Sequence, residues 1–298
     1  MKIVIPRPIT LLSTNVPETD ADEWDADTVY AAGHLVMVSA RHRLYYSLRA
    51  TEAGEFPPDN LVGTDPAWSD RGATNAYKMF DEYINTATSV DDLMDVTTSA
   101  SRCDSVGVFG ARGKTLTLDL MMGDVVIWSK TWTLLKPTYT YTEYCFTTPE
   151  FIRDIFTPIP IRGGSRLRIR IDAGEGGTAQ CGKVEMGQAV YLGETQWDVT
   201  PSRLSFSKVT TNDFGDVSMS KGKTAKYLKF KATFDTSQID HIQKRLDDID
   251  GLACMFVAYG ETGFQPEALL VYGFAKEVNP NLPNGEKSTI QFEVQGLI

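Results

Sequence analysis

Histidine is scarce in this chain of 298 residues: only His34, His42 and His241 occur. None stands at the HxxxH or HExxH spacing that places two imidazoles on one helix face for a metal. The four cysteines, Cys103, Cys145, Cys181 and Cys254, lie far apart in sequence. With no CxxC or CxxH pair they do not read as zinc ligands. They read as small buried hydrophobes of a chain made in a reducing cytoplasm. A GxSxG elbow and a Walker A loop are both missing, which removes two common routes to hydrolysis and phosphoryl transfer. No apolar run approaches the ~20 residues that cross a bilayer. The first residues, Met1 to Pro6, are too short and too soon broken by proline for a signal peptide. The expectation is a chain without cofactor, metal or membrane insertion, and not an enzyme.

Positive charge is also in deficit. Lys and Arg number 29 against 39 Asp and Glu, a net charge of −10. Such a surface repels phosphate backbones, so nucleic acid is not expected as a partner. Glu18, Asp20, Asp22, Glu23, Asp25 and Asp27 crowd one short stretch. It reads as a solvating loop or, alternatively, as a hard-oxygen cation site. The spacing does not match the twelve-residue calcium loop with its central Gly and terminal Glu.

What is present is β-forming: 42% hydrophobic residues, 10% aromatic, and 24 glycines for turns. Residues 1–23 read as an extended N-terminal arm, because Pro6 and Pro8 bar a helix. Residues 24–72 read as a small aromatic β module and 73–94 as a bridging segment. Residues 95–184 carry repeated strands: 116–120 and 167–171 alternate cleanly, and 125–128, continuously apolar, reads as a more buried strand. The pairs Gly163-Gly164 and Gly176-Gly177 mark hairpin turns there. This region reads as a jelly-roll-like β-sandwich.

Residues 185–298 read as an α+β assembly domain. Strands are expected at 189–192, 226–234, 253–259, 269–274 and 289–294. One helix is expected over 236–249, where Ile239, Ile242, Leu246 and Ile249 recur on one face. Thr236 or Ser237 caps it and Gly251 stops it. The fold class is therefore mainly β, closed by a helix on an antiparallel sheet.

Aromatics are the feature with most binding chemistry. Trp24, Tyr30, Tyr45, Tyr46 and Trp68 crowd about fifty residues. Flat rings stack on the apolar faces of sugars, so Trp24, Tyr30, Tyr46 and Trp68 form a possible carbohydrate platform. So small a sheet also needs rings for its own core, and both roles stay open. Gly174-Glu175-Gly176-Gly177 follows an alternating strand and reads as a turn, not a phosphate cradle. The carboxylate pairs Asp172 with Glu175 and Asp247 with Asp248 are the residual candidates for a glycan-hydrolase dyad.

Two resemblances carry further. The order Trp24, Thr28, Tyr30, Gly33, Val36, Tyr45/Tyr46, Pro58, Trp68 resembles the short chitin-binding-type modules of glycoside hydrolases. The segment Ala73-Thr74-Asn75 to Met79-Phe80-Asp81 resembles bacteriophage minor-tail, distal-tail and baseplate-associated proteins. So do Val184-Glu185-Met186-Gly187, Leu192-Gly193-Glu194-Thr195-Gln196-Trp197, Asp213-Phe214-Gly215, and the helix with Leu252 to Val257. That resemblance implies a structural component of the tail tip, baseplate or collar, located in the virion after synthesis in the host cytoplasm. Its implied partners are other tail proteins and copies of itself in a ring, with host-surface glycan as a further contact. Alternatives are a carbohydrate-binding attachment protein and a tail-associated glycan hydrolase.

Overall fold

A computed structural model describes residues 1–136, 140–148, 150–211, 213–259, 265–282 and 285–298. The protein is mainly β, and its sheets follow from the alternation seen in sequence. In the strand Arg166–Asp172, Leu167, Ile169 and Ile171 point inward and are fully buried, while the arginines between them point out. This strand lies at the centre of a five-stranded antiparallel sheet. The order is Val125–Thr133, Thr115–Met122, Arg166–Asp172, Leu93–Ser99, Leu11–Thr14. Its inner face meets Val106, Val108, Val184 and Met186 of a second sheet, which makes a sandwich. On the outer face the charges pair across strands, Arg168 with Asp95 at 2.5 Å and Arg170 with Asp119 at 2.7 Å. Polar-out alternation is satisfied here by ladder ion pairs between neighbouring strands.

The second sheet is larger and curls past the sandwich. Among the described residues it has ten strands. Ile155–Pro158, Ser105–Phe109 and Lys183–Tyr191 back the sandwich, and Lys2–Pro6 comes next. Cys254–Val257, Leu270–Asn281, Lys287–Gly296 and Thr224–Asp235 follow. Thr200–Ser205 and Glu194–Thr195 both pair with this last strand.

The first residues are extended, as proline requires, yet they are not a free arm. Lys2–Pro6 pairs with Lys183–Tyr191 on one side and Cys254–Val257 on the other. Met1, Ile3 and Val4 are buried. The strand thus sits in its own chain's sheet and joins the sandwich-backing strands to the helix-bearing ones.

The helix runs Ile239–Ile249, preceded by a 3-10 turn at Thr236–Gln238. Ile242 and Ile249 are buried and pack over Phe230 and Phe292, whose rings stack at 5.2 Å. Gly251 ends the segment at φ +71°, a conformation that favours glycine. The expected cap is corrected: Gln238 holds that position without a side-chain bond, and Thr236 Oγ1 instead bonds Ser288 Oγ at 2.7 Å. A second helix, Tyr141–Phe146, carries a capping box of Thr140 and Glu143 that sequence reading did not single out.

The glycine pairs also differ from expectation. Gly163-Gly164 lies between Ile155–Pro158 and Arg166–Asp172, which belong to different sheets. Gly174 to Gly177 lies between Arg166–Asp172 and Thr178–Cys181, which again pair elsewhere. The turns are tight, with Gly177 N–H donating to Gly174 O at 2.9 Å. They move the chain from sheet to sheet and do not close hairpins.

One polar pair is buried under the curl. Lys183 and Glu185 project from one side of their strand, opposite Val184 and Met186, with Nζ to Oε2 at 3.3 Å. Lys183 also donates to Asp81 O at 2.6 Å and lies over the Tyr272 ring. Burial pushes the Glu185 carboxyl above its ordinary range, and Lys183 opposes that shift only in part.

Candidate functional site

The aromatic module is a four-stranded sheet of Asp22–Glu23, Leu35–Val38, Arg43–Ser47 and Trp68–Ala73. Its core is Tyr30, Val36, Val38, Tyr45, Ala67 and Trp68. The Tyr30 and Trp68 rings meet edge to face at 5.5 Å. Each also places its polar atom: Trp68 Nε1 donates to Glu55 O at 3.0 Å, and Tyr30 Oη accepts from Asp25 N–H at 2.7 Å. Trp68 is fully buried and Tyr30 nearly so. Neither ring keeps a face open to a sugar.

The other two rings lie apart. Trp24 is half-buried against this core, its ring edge-on to Phe56 at 5.0 Å. Tyr45 and Tyr46 are successive strand residues and so face opposite sides of the sheet. Tyr45 goes inward; Tyr46 faces out, with the Arg71 guanidinium 4.6 Å from its ring centre. Four expected platform residues are therefore not one surface: Trp24, Tyr30 and Trp68 share the core side, and Tyr46 stands alone on the far side. Adjacent tyrosines in a strand already contained that split.

The acidic stretch is largely engaged with protein. Glu18 contacts His42 Nδ1 at 3.0 Å and accepts from Thr74 Oγ1 at 3.1 Å. Asp20 accepts from Asn75 N–H at 2.9 Å. Glu23 accepts from both Ser39 N–H and Ser39 Oγ. Asp25 accepts from Asp27 N–H at 3.0 Å. His42 stacks on Tyr77 at 3.8 Å. Glu18 thus ties His42 of the module to Thr74, and Asp20 holds Asn75 of the 74–79 segment, whose Ala76 and Met79 are buried in the sandwich core. Among the described residues no group of three His, Cys, Asp or Glu side chains converges in a metal-holding arrangement.

The remaining candidates are dispersed. Asp172 and Glu175 are exposed at a turn, where Asp172 Oδ1 accepts from Gly174 N–H at 2.7 Å. Asp247 and Asp248 are exposed on the helix, and Asp248 pairs with Arg245 at 3.0 Å. Cys103, Cys181 and Cys254 are buried as expected, and burial pushes Cys181 and Cys254 up to about 12. Cys145 is exposed, which corrects the expectation of four buried thiols.

Sequence reading missed two exposed apolar strand surfaces. The strand Val125–Thr133 leaves Val125, Val126 and Ile127 between 41% and 65% exposed, which corrects the expectation of a buried strand: it is the end strand of its sheet, and no described part of the chain covers these residues. A ribbon leaving the large sheet after Thr200–Ser205 exposes Val209, Val217 and Met219. The signal was short alternation, Val209 then Thr211 and Val217 then Met219, among Ser, Thr and Lys. No family model, curated protein or solved structure matches this chain.

Proposed function

We propose that this chain is a structural component of a bacteriophage tail, in the tip, baseplate or collar region, and works by assembling with other virion proteins. The tail identity rests on the resemblance of residues 73–81, 184–197, 213–215 and the helix through 257 to tail proteins. The observation that supports an assembly role is the bare apolar β surface. Val125, Val126, Ile127, Val209, Val217 and Met219 are all more than 40% exposed. Clustered exposed apolar residues mark interaction surfaces in soluble proteins. Glycan contact is an added role, and its candidate ring is Tyr46, half-buried on the outer face beside Arg71.

Labelled antibody against the chain, applied to purified particles and imaged, tests the reading. Decoration of the tail end is expected; particles that carry none of the chain contradict it. A glycan array with wild type and Tyr46→Ala tests the added role. Binding lost in the variant supports it, and no binding by wild type removes it.

A further inference from the structure

Among the described residues, the ribbon beyond Thr200–Ser205 forms a long, continuously exposed stretch. Lys208–Thr211 pairs with Val217–Ser220, and every described residue from 200 to 221 is exposed. Register sorts its two faces. Val209 stands opposite Met219, and Thr211 opposite Val217, so these four share one face. Lys208, Thr210, Ser218 and Ser220 take the other. One face is apolar, the other polar, and neither is packed. A two-stranded ribbon is marginal in water by itself, so an apolar stripe on one gains by being covered.

Its root is built to project. Phe206 N–H donates to Lys223 O at 3.0 Å, and Gly222 N–H donates to Ser207 Oγ at 3.0 Å. A Cβ at Gly222 would meet Phe206 O at 2.2 Å, so only glycine permits the backbones to close there.

Charge does not set the partner, because residues 206–222 carry Lys208 and Lys221 against Asp213 and Asp216 and are neutral overall. What the ribbon lacks is a β partner, and this chain offers one. Val125–Thr133 is the end strand of the five-stranded sheet, and among the described residues no strand pairs with its outer edge. It is nine residues long and opens with exposed Val125, Val126 and Ile127. Unpaired edges of this kind accept an added strand. The ribbon leaves the far end of the other sheet and does not pair with this edge in its own copy.

We propose that the ribbon of residues 206–222 docks on the Val125–Thr133 edge of a second copy of this chain. The contact is heterologous, head to tail, so repetition gives a ring if the rotation closes and a filament if it does not. This deepens the assembly reading above and rests on it.

Sedimentation velocity over a wide dilution series tests it with three proteins. They are wild type, the ribbon variant Val209→Asp with Met219→Asp, and the edge variant Ile127→Lys. All three substitutions are at exposed positions, and circular dichroism checks that folding is kept. Wild type is expected to associate with rising concentration. Each variant should lose at least about tenfold in self-affinity, as for an interface anchor replaced by charge. The decisive arm is the mixture. Each variant keeps one intact surface, so together they form a one-to-one pair and nothing larger. Wild-type association untouched by either variant overturns the docking proposal and leaves the assembly reading standing. Wild type monomeric throughout also overturns it, and the assembly reading is then decided by particle labelling. A monomer whose ribbon variant is lost from particles shows a different virion protein as the occupant.

Discussion

The strand Arg166–Asp172 and the ribbon Lys208–Thr211 with Val217–Ser220 are written in the same language. Both alternate, both pair antiparallel, and both set apolar side chains on one face. In the first, Leu167, Ile169 and Ile171 are fully buried; in the second, Val209 and Met219 are 60% and 78% exposed. Alternation says which residues share a face, and says nothing of whether the chain supplies a cover. The sandwich covers its own faces. The ribbon and the Val125–Thr133 edge leave theirs uncovered.

The comparison breaks first at its covered end. Val4 is fully buried with strands on both sides, so Val4→Asp places an unpaired charge where nothing answers it. A loss above about 4 kcal/mol is expected, seen as failure of the soluble fold in urea titration. Lys183→Met comes next, because it leaves Glu185 without its counter-charge, and about 3–5 kcal/mol is expected near neutral pH. Burial raises the Glu185 pKa, so its contribution is full below the unfolded carboxylate value and fades as pH rises through the folded one. Thermal melts of wild type and Glu185→Gln from acid to neutral pH check this: wild type should lose ground to the variant as pH rises. A constant difference would contradict the assignment.

Within the aromatic module, Trp68→Ala should cost about 3–5 kcal/mol and loosen the module, since the ring is its largest buried side chain. Trp24→Ala, at a half-buried ring, should cost distinctly less. Limited proteolysis around residue 60 reports both, and equal sensitivity would mean that the two rings are packed alike. The smallest stability effect is Met219→Asp, within about 0.5 kcal/mol, because nothing packs on that face. Its effect belongs in association, and a large drop in melting temperature would show the ribbon to be part of the folded core.

Much of the fold was legible where physics is local. The alternation at 167–171, the helical spacing of Ile239 to Ile249 and Gly251 as a stop all depend on near neighbours in sequence. The role of Lys2–Pro6 was not legible, because proline announces extension and cannot name a partner strand. Pairing with Tyr191 and Val257, far along the chain, decides that. The candidate platform failed for a related reason. Composition collected Trp24, Tyr30, Tyr46 and Trp68, but a small sheet spends most of its rings on itself. The two-residue period of the strand then put Tyr46 on the opposite face.

Hydrogen exchange at low and high protein concentration tests the central contrast most directly. Amides of 208–211, 217–220 and the outward-edge amides of 125–133 should exchange quickly in dilute protein and become protected in concentrated protein, while 166–172 stays protected in both. Identical exchange of the ribbon and edge at the two concentrations would contradict the account.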